Sequence, residues 1–334
     1  MSPLVHRGWF RVCRVAGLAC LLVFGWTARA QALAAAEPTM SLTLPGLKWA
    51  ILIPGAGFDI EEQSIAPDGK AARLNARHAG ADIVISAMIE KAAGPVTLKA
   101  ARDRFWRQTQ QTGMKAEGVR VSDAGDRWLD EYLVRSHPAR PADQKHLNIY
   151  LVKDGFWADV HLSKGHYRTN DDAALRALAD HVVIAEPYTP RARDHFVFGN
   201  SIYRAEDFKD AVVHLEQARE LERVRTTLKP AETTELLLHL GVAYGVCGQF
   251  GRAREVLIEG LTRDPDHPML HYNLACIYGE EKDLDRALDE LRLAHRLRGR
   301  LPKGSRLPDP LADHSFAAFA NRPEFRQAIG EMRR

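Results

Sequence analysis

The C-terminal half of the chain repeats itself. Leu237-x2-Leu240-Gly241-x2-Tyr244 is followed by Ala253-x3-Leu257 and Pro265. The pattern recurs 34 residues later, in His271-x2-Leu274-Ala275-x2-Tyr278 followed by Ala287-x3-Leu291. A period of this length means stacked helical hairpins, each too small to bury its apolar face alone. An earlier copy, His195-x2-Phe198-Gly199-x2-Ile202, leads to Ala211-x3-Leu215 and Ala218. Gly199 precedes Gly241 by 42 residues, eight more than the period. The excess reads as an insertion around Arg223 to Thr234, which is cheap because loop closure grows slowly with length.

The residue types explain the spacing. Gly199, Gly241 and Ala275 let the two helices of a hairpin approach, as do Ala211, Ala253 and Ala287 from the second helix. Leu240, Tyr244, Leu257, Leu274, Tyr278 and Leu291 then fill the space between hairpins, while Gly248, Pro265 and Asp283 mark turns. On these residues the chain resembles the tetratricopeptide repeat (TPR) family over three repeats, residues 192–297. The usual tryptophan position holds His195, Leu237 and His271, Ile202 stands where tyrosine is usual, and the third copy lacks its terminal proline. The resemblance implies an all-α solenoid whose first helices line a concave, peptide-binding groove. Carried onto this sequence, Phe196, Asn200, Tyr203 and Arg204 face it from the first repeat. Leu238, His239 and Val242 do so from the second, and Tyr272, Asn273, Cys276 and Glu280 from the third. Asn200 and Asn273 suit hydrogen bonding to a peptide backbone, Tyr203 and Tyr272 flat contact, and Arg204 a carboxylate.

A solenoid needs closed ends. Residues 308–334 offer capping helices: Pro310, Leu311, Phe316 and Phe319 suggest one, and Asn321-Arg322-Pro323-Glu324 starts another carrying Phe325 and Ile329.

The first residues look different. His6, Arg7, Arg11 and Arg14 precede an apolar run from Val15 to Trp26, and Ala28-Arg29-Ala30 offers small residues for cleavage. This is the pattern of a signal peptide, residues 1–32, cleaved near Ala30–Ala32. The run is shorter than the ~20 residues of an ordinary spanning helix; an uncleaved anchor is the alternative. The leader holds four arginines and no acid, so the formal charge of +3 becomes −1 without it. A nearly neutral protein gives no argument for nucleic-acid binding. Cys13 and Cys20 leave with the leader. Cys247 and Cys276 remain, at different levels of successive repeats, and are expected as buried apolar thiols rather than a bridge.

After an Ala-rich spacer (Leu33 to Glu37), residues 41–186 alternate short strands with helices. Leu47, Trp49, Ile51 and Ile53 alternate up to Pro54-Gly55; Phe58–Ile65, Ala72–His78 and Ile83–Ile89 follow. Leu98, Ala101, Phe105 and Gln108 place a helix over 97–111, with Thr97 as N-cap and Gly113 as stop. Strands resume at 119–122, 128–136, 146–153 and 156–163, with Asp154-Gly155 as a hairpin turn. A second helix runs from Asn170 to Ala179, before a short apolar piece at 182–184. This order predicts an α+β domain with an antiparallel sheet and helices packed on one side. Element order and Trp49, Phe105-Trp106, Trp128 and Trp157 make it similar to the PsbP-like sandwich, which implies a docking domain more often than an enzyme. Glu186-Pro187-Tyr188-Thr189-Pro190 reads as the linker (187–191).

Motifs for chemistry are missing. Gly55-Ala56-Gly57 lacks dinucleotide spacing, and no Gly-x-Ser-x-Gly, His-Glu-x-x-His or phosphate-loop lysine occurs, which argues against catalysis, a cofactor or a metal. His161 and His166, near Asp159 and Lys164, read as solvated strand residues, and His267 and His271 as a surface turn. The basic stretch Arg292 to Arg306 suits a helix end or contact with anionic lipid or an acidic partner. The expectation is an exported (periplasmic or secreted), non-enzymatic scaffold that binds a peptide or protein of the cell envelope in the groove, with no nucleic acid. Membrane contact would come only through the leader or residues 292–306. The alternative is a sandwich domain that holds a ligand or catalyses, regulated or localised by the repeats. A polar-lined pocket between the sheet and the 97–111 helix would favour that alternative.

Overall fold

The computed structural model describes residues 39–111, 115–136 and 142–333. The leader, the Ala-rich spacer and Gly113 lie outside the described residues. Among the described residues no helix is long and apolar enough to cross a membrane. Two compact units divide the chain: one extends to Gln63 and resumes over Ala72–Tyr188, and the other holds Ser64–Ala71 and everything from Thr189.

The first unit is α+β, with two sheets. β1 (Thr39–Leu42), β2 (Ala50–Pro54) and β10 (Val183–Ala185) form a three-stranded antiparallel sheet. The second sheet has seven strands in the order β3-β4-β5-β9-β8-β7-β6. They are β3 (Asp59–Ile65), β4 (Ala71–His78), β5 (Ile83–Lys91), β6 (Glu117–Asp123), β7 (Arg127–Val134), β8 (Gln144–Lys153) and β9 (Phe156–Lys164). Asp154 and Gly155 both take positive φ, +48° and +77°, the backbone an Asp-Gly hairpin requires. The three-stranded sheet was not foreseen. Ala50 to Ile53 are all buried, so β2 has no polar face, and the apparent alternation through Trp49 was no guide to it.

Helix α1 (Leu98–Gln111) starts where the Thr97 hydroxyl accepts the Ala100 amide at 3.2 Å. Its Phe105 packs on Tyr150 and Trp157 with ring centroids 5.8 and 4.4 Å apart, and its Arg102 Nε donates to both oxygens of Asp130 at 2.8 Å. Helix α2 (Asp172–Asp180) sends Arg176 to Glu131, which alternates along β7 with Asp130 and Tyr132. Side chains alternate across a strand, so the two helices cover opposite faces of the sheet rather than one. Under α2 lie the buried Leu147, Ile149, Val160 and Leu162. Asn170 sits within a 3-10 turn (Thr169–Asp171) that leads into α2, instead of capping it.

The second unit is helical: α3 (Ala192–Arg204), α4 (Phe208–Val224), α5 (Pro230–Val246), α6 (Phe250–Arg263), α7 (Pro268–Glu280), α8 (Leu284–Arg296) and α9 (Pro323–Met332). Each hairpin turns sharply at one positive-φ residue, Glu206, Gly248 or Lys282. A Cβ on Gly199 would stand 2.6 Å from Leu215, and one on Gly241 2.6 Å from Leu257, so both hairpins close as the spacing predicts. The six residues expected between hairpins are all buried. The eight extra residues do not form a loop. Helix α4 is 17 residues long against 14 for α6, α5 is 17 against 13 for α7, and the link after α4 is one residue longer. The Glu222 carboxylate anchors that link by accepting the amides of Thr227 at 2.9 Å and Leu228 at 3.0 Å.

Candidate functional site

The first helices of the repeats, α3, α5 and α7, carry the residues expected in the groove. Between α3 and α5 the structure brings five polar side chains together. His239 Nδ1 and Asn200 Oδ1 lie 2.9 Å apart, and the Tyr203 ring stacks on His239 with centroids 4.3 Å apart. The Asn200 amide donates to Glu235 at 3.4 Å, and Arg204 lies 3.7 Å from the same carboxylate. Glu235 was missed in the sequence, although it stands one turn before His239, the i, i+4 relation that signals a pair on one helix face.

Exposure is uneven across this cluster. Arg204 is exposed, and Tyr203, Glu235, Leu238, His239 and Val242 are half-buried. Asn200 and Phe196 are buried, each at 6 % exposure. Burial, then the Arg204 charge, holds the His239 imidazole down to about 4, so it is neutral at ordinary pH. Burial raises Glu235 above the usual carboxylate range. The surface is thus a stacked ring pair with one exposed guanidinium beside the half-buried side chains of Leu238 and Val242.

The third repeat differs from expectation. Tyr272 is 2 % exposed, and its hydroxyl donates to Asp313 at 2.7 Å. Cys276 Sγ lies 3.8 Å from the same carboxylate, and burial, then the Asp313 charge, pushes its thiol well up. The cause is the C-terminal segment. A 3-10 turn, His314–Phe319, lies against α7, with Phe316 edge-on to Tyr272 at 6.3 Å and the Ser315 carbonyl where a Gly279 Cβ would stand. Tyr272 and Cys276 therefore face the chain's own cap. Asn273 and Glu280 remain half-exposed. The cap is formed by the expected aromatics, with Phe316, Phe319, Phe325 and Ile329 buried and Pro323 at the start of α9.

Other expectations need correction. Cys247 ends α5 and is exposed rather than buried, because it falls at the turn; both thiols are free. His271 is not part of a surface turn: it is 7 % exposed and bonded to Glu290 at 2.6 Å and to the Pro265 carbonyl at 2.8 Å. His267 caps α7 by accepting the Leu270 amide at 3.3 Å. His166 is exposed and pairs with Asp82, but Asp159 and His161 lie on the sheet face that α1 covers, where alternation with apolar residues had suggested solvent. Along the basic stretch, Arg292 pairs with Asp289, and Arg300 with Asp264 and Asp266. Arg298 and Arg306 border a cavity of about 390 Å³ with the apolar Leu301, Leu307, Ile329 and Met332. Among the described residues no three His, Cys, Asp or Glu side chains converge as metal ligands.

The second unit is a TPR-like stack of helical hairpins, and the first an α+β domain with two sheets. No family model and no curated protein matches the chain. Among solved structures it is similar to MamA (MSR-1), with 22 % identity over 39 % of this chain and 66 % of that one, at a TM-score of 0.29. It is also similar to YrrB, a TPR protein with an unusual peptide-binding site, with 21 % identity over 39 % of this chain and 57 % of that one, at a TM-score of 0.30. A third is the type III secretion translocator chaperone SycD of Yersinia enterocolitica, with 18 % identity over 44 % of this chain and 92 % of that one, at a TM-score of 0.29. The chain spans less than two thirds of the length of MamA and of YrrB.

Proposed function

We propose that the helical unit is a protein-interaction module and that its first two repeats carry the binding surface. On this reading the protein is an exported scaffold of the cell envelope, not a catalyst, and takes up an extended peptide or protein segment. The observation that carries the reading is the contrast between repeats. Tyr203, Arg204, Leu238, His239 and Val242 lie together on α3 and α5 with surface to spare, whereas Tyr272 is sealed by Asp313 and Phe316. A stacked aromatic pair beside an exposed arginine is the usual make-up of an interface hot spot. The exposed guanidinium favours an acidic or C-terminal carboxylate in the partner. Asn273, half-exposed on α7, is the candidate backbone contact from the third repeat.

The test is capture by the intact protein. Replacing Tyr203, Arg204 and Asn273 by alanine leaves the circular dichroism spectrum unchanged and abolishes crosslinked complexes in envelope extracts. Complexes of unchanged identity and yield from the triple variant would refute the groove reading.

A further inference from the structure

After α8 the chain makes one 3-10 turn, Arg298–Arg300, and then runs from Leu301 to Asp313 without helix or strand. Pro302, Pro308 and Pro310 lie in this stretch, and proline neither donates an amide nor fits a helix interior. The stretch therefore arches between the end of α8 and α9 instead of packing as a further helix. It leaves the cavity of about 390 Å³ that reaches from His295 on α8 to Ile329 and Met332 on α9. Pockets for small molecules begin at about 300 Å³.

The walls are aliphatic. Ile329 is buried, while Leu301, Leu307 and Met332 are half-buried and keep surface free for contact. No Phe, Tyr or Trp lines the cavity, so it offers a flexible chain apolar cover and a flat ring nothing to stack on.

The charges are unbalanced. Arg298, Arg306 and Arg333 border the cavity, against one acid, Asp309. Asp309 is already engaged: Arg333 bonds it, and it accepts the Leu311 amide at 3.1 Å. Arg298 Nη1 donates to the His295 carbonyl at 2.9 Å and meets His295 Nδ1 at 3.0 Å, so it caps the end of α8 without an acid partner. Arg306 is exposed and, among the described residues, forms no ion pair and no hydrogen bond.

We propose that this cavity binds a medium-chain alkyl carboxylate, with its chain among Leu301, Leu307, Ile329 and Met332 and its head on Arg306, assisted by Arg298. A guanidinium matches a carboxylate in shape and charge. A cation would meet two uncompensated guanidiniums, and a neutral chain would leave both without a partner. The site lies outside the α3–α5 face and is independent of it.

The full chain is titrated calorimetrically at pH 7 with octanoate, with octanol as the neutral counterpart and acetate as the head alone. Octanoate is expected to bind about tenfold or more tighter than either, the worth of a charge-assisted bond and of a buried chain. Each methylene from hexanoate to octanoate tightens binding by roughly two- to fourfold. Arg306→Gln removes an exposed side chain that holds nothing in the fold, and the preference over octanol is lost. Carbon NMR of methyl-labelled protein locates the site: octanoate shifts the Met332 methyl signal, assigned through Met332→Leu, and leaves those of Met40 and Met88 in place. Phosphatidylglycerol vesicles test a lipid surface as the source of the anion. Binding of vesicles without binding of octanoate, equal affinity for octanol, a preference that survives Arg306→Gln, or an unmoved Met332 signal would each overturn the proposal.

Discussion

Tyr272 donates its hydroxyl to the carboxylate of Asp313, 41 residues further along the chain, at 2.7 Å. This bond ties the third repeat to the C-terminal segment and decides which repeats keep an open face. Replacing Asp313 by alanine leaves a buried hydroxyl without its partner, which costs about 1–3 kcal/mol. It also uncovers Cys276, whose thiol is otherwise held protonated. In the intact protein a thiol reagent labels the exposed Cys247 and spares Cys276. In Asp313→Ala both are labelled, as peptide mass mapping would show.

Gly241 and Leu257 set how closely α5 and α6 pack. Gly241→Ala puts a methyl carbon 2.6 Å from the leucine side chain. Overpacking of this kind costs about 1–3 kcal/mol, and the urea midpoint falls accordingly. The double variant Gly241→Ala/Leu257→Val recovers part of the loss, because the two residues share one contact.

Arg219 joins the second helices of the first two repeats. It bonds Glu216 at 3.2 Å, Glu255 at 2.9 Å and Glu259 at 2.6 Å while only 5 % exposed itself, and Tyr244 bonds Glu216 beside it. Arg219→Ala strips the cation from these carboxylates. The expected loss is about 3 kcal/mol, the low end for a broken buried pair, because Glu255 stays in water. Thermal unfolding of the variant against wild type measures it.

His271 makes stability depend on pH. Burial disfavours its charged form, but the Glu290 carboxylate and the Pro265 carbonyl outweigh this and hold its pKa above the ordinary value. A group raised on folding stabilises most below its unfolded value of about 6.5 and loses that contribution as pH rises through the folded one. The urea midpoint of wild type therefore exceeds that of His271→Gln by more at pH 6 than at pH 9. A gap that widens with pH would refute the assignment.

The repeats were legible because close helix packing demands small residues at fixed positions, and Gly199, Gly241, Ala211 and Ala253 stand there. The fate of Tyr272 was not legible, since it depends on where residues 309–319 return. The polar sheet face under α1 was hidden for a related reason. His146, Asn148 and Tyr150 alternate with Leu147, Ile149 and Leu151, the pattern of a strand with one wet face. Only α1, whose Phe105 packs on Tyr150 there, turns that face inward. The three-stranded sheet escaped notice because its outer strands have four and three residues, too few to show a period.

The central claim, that partners meet the α3–α5 face, is tested most directly by photo-crosslinking. A photoreactive residue is placed at Leu238, in the cluster, or at Val213, exposed on α4, and the full chain is irradiated in envelope extracts. The account predicts a discrete adduct from position 238, lost when Tyr203 and Arg204 are replaced by alanine, and none from position 213. Equal adducts from both positions, or an adduct at 238 indifferent to Tyr203 and Arg204, would contradict it.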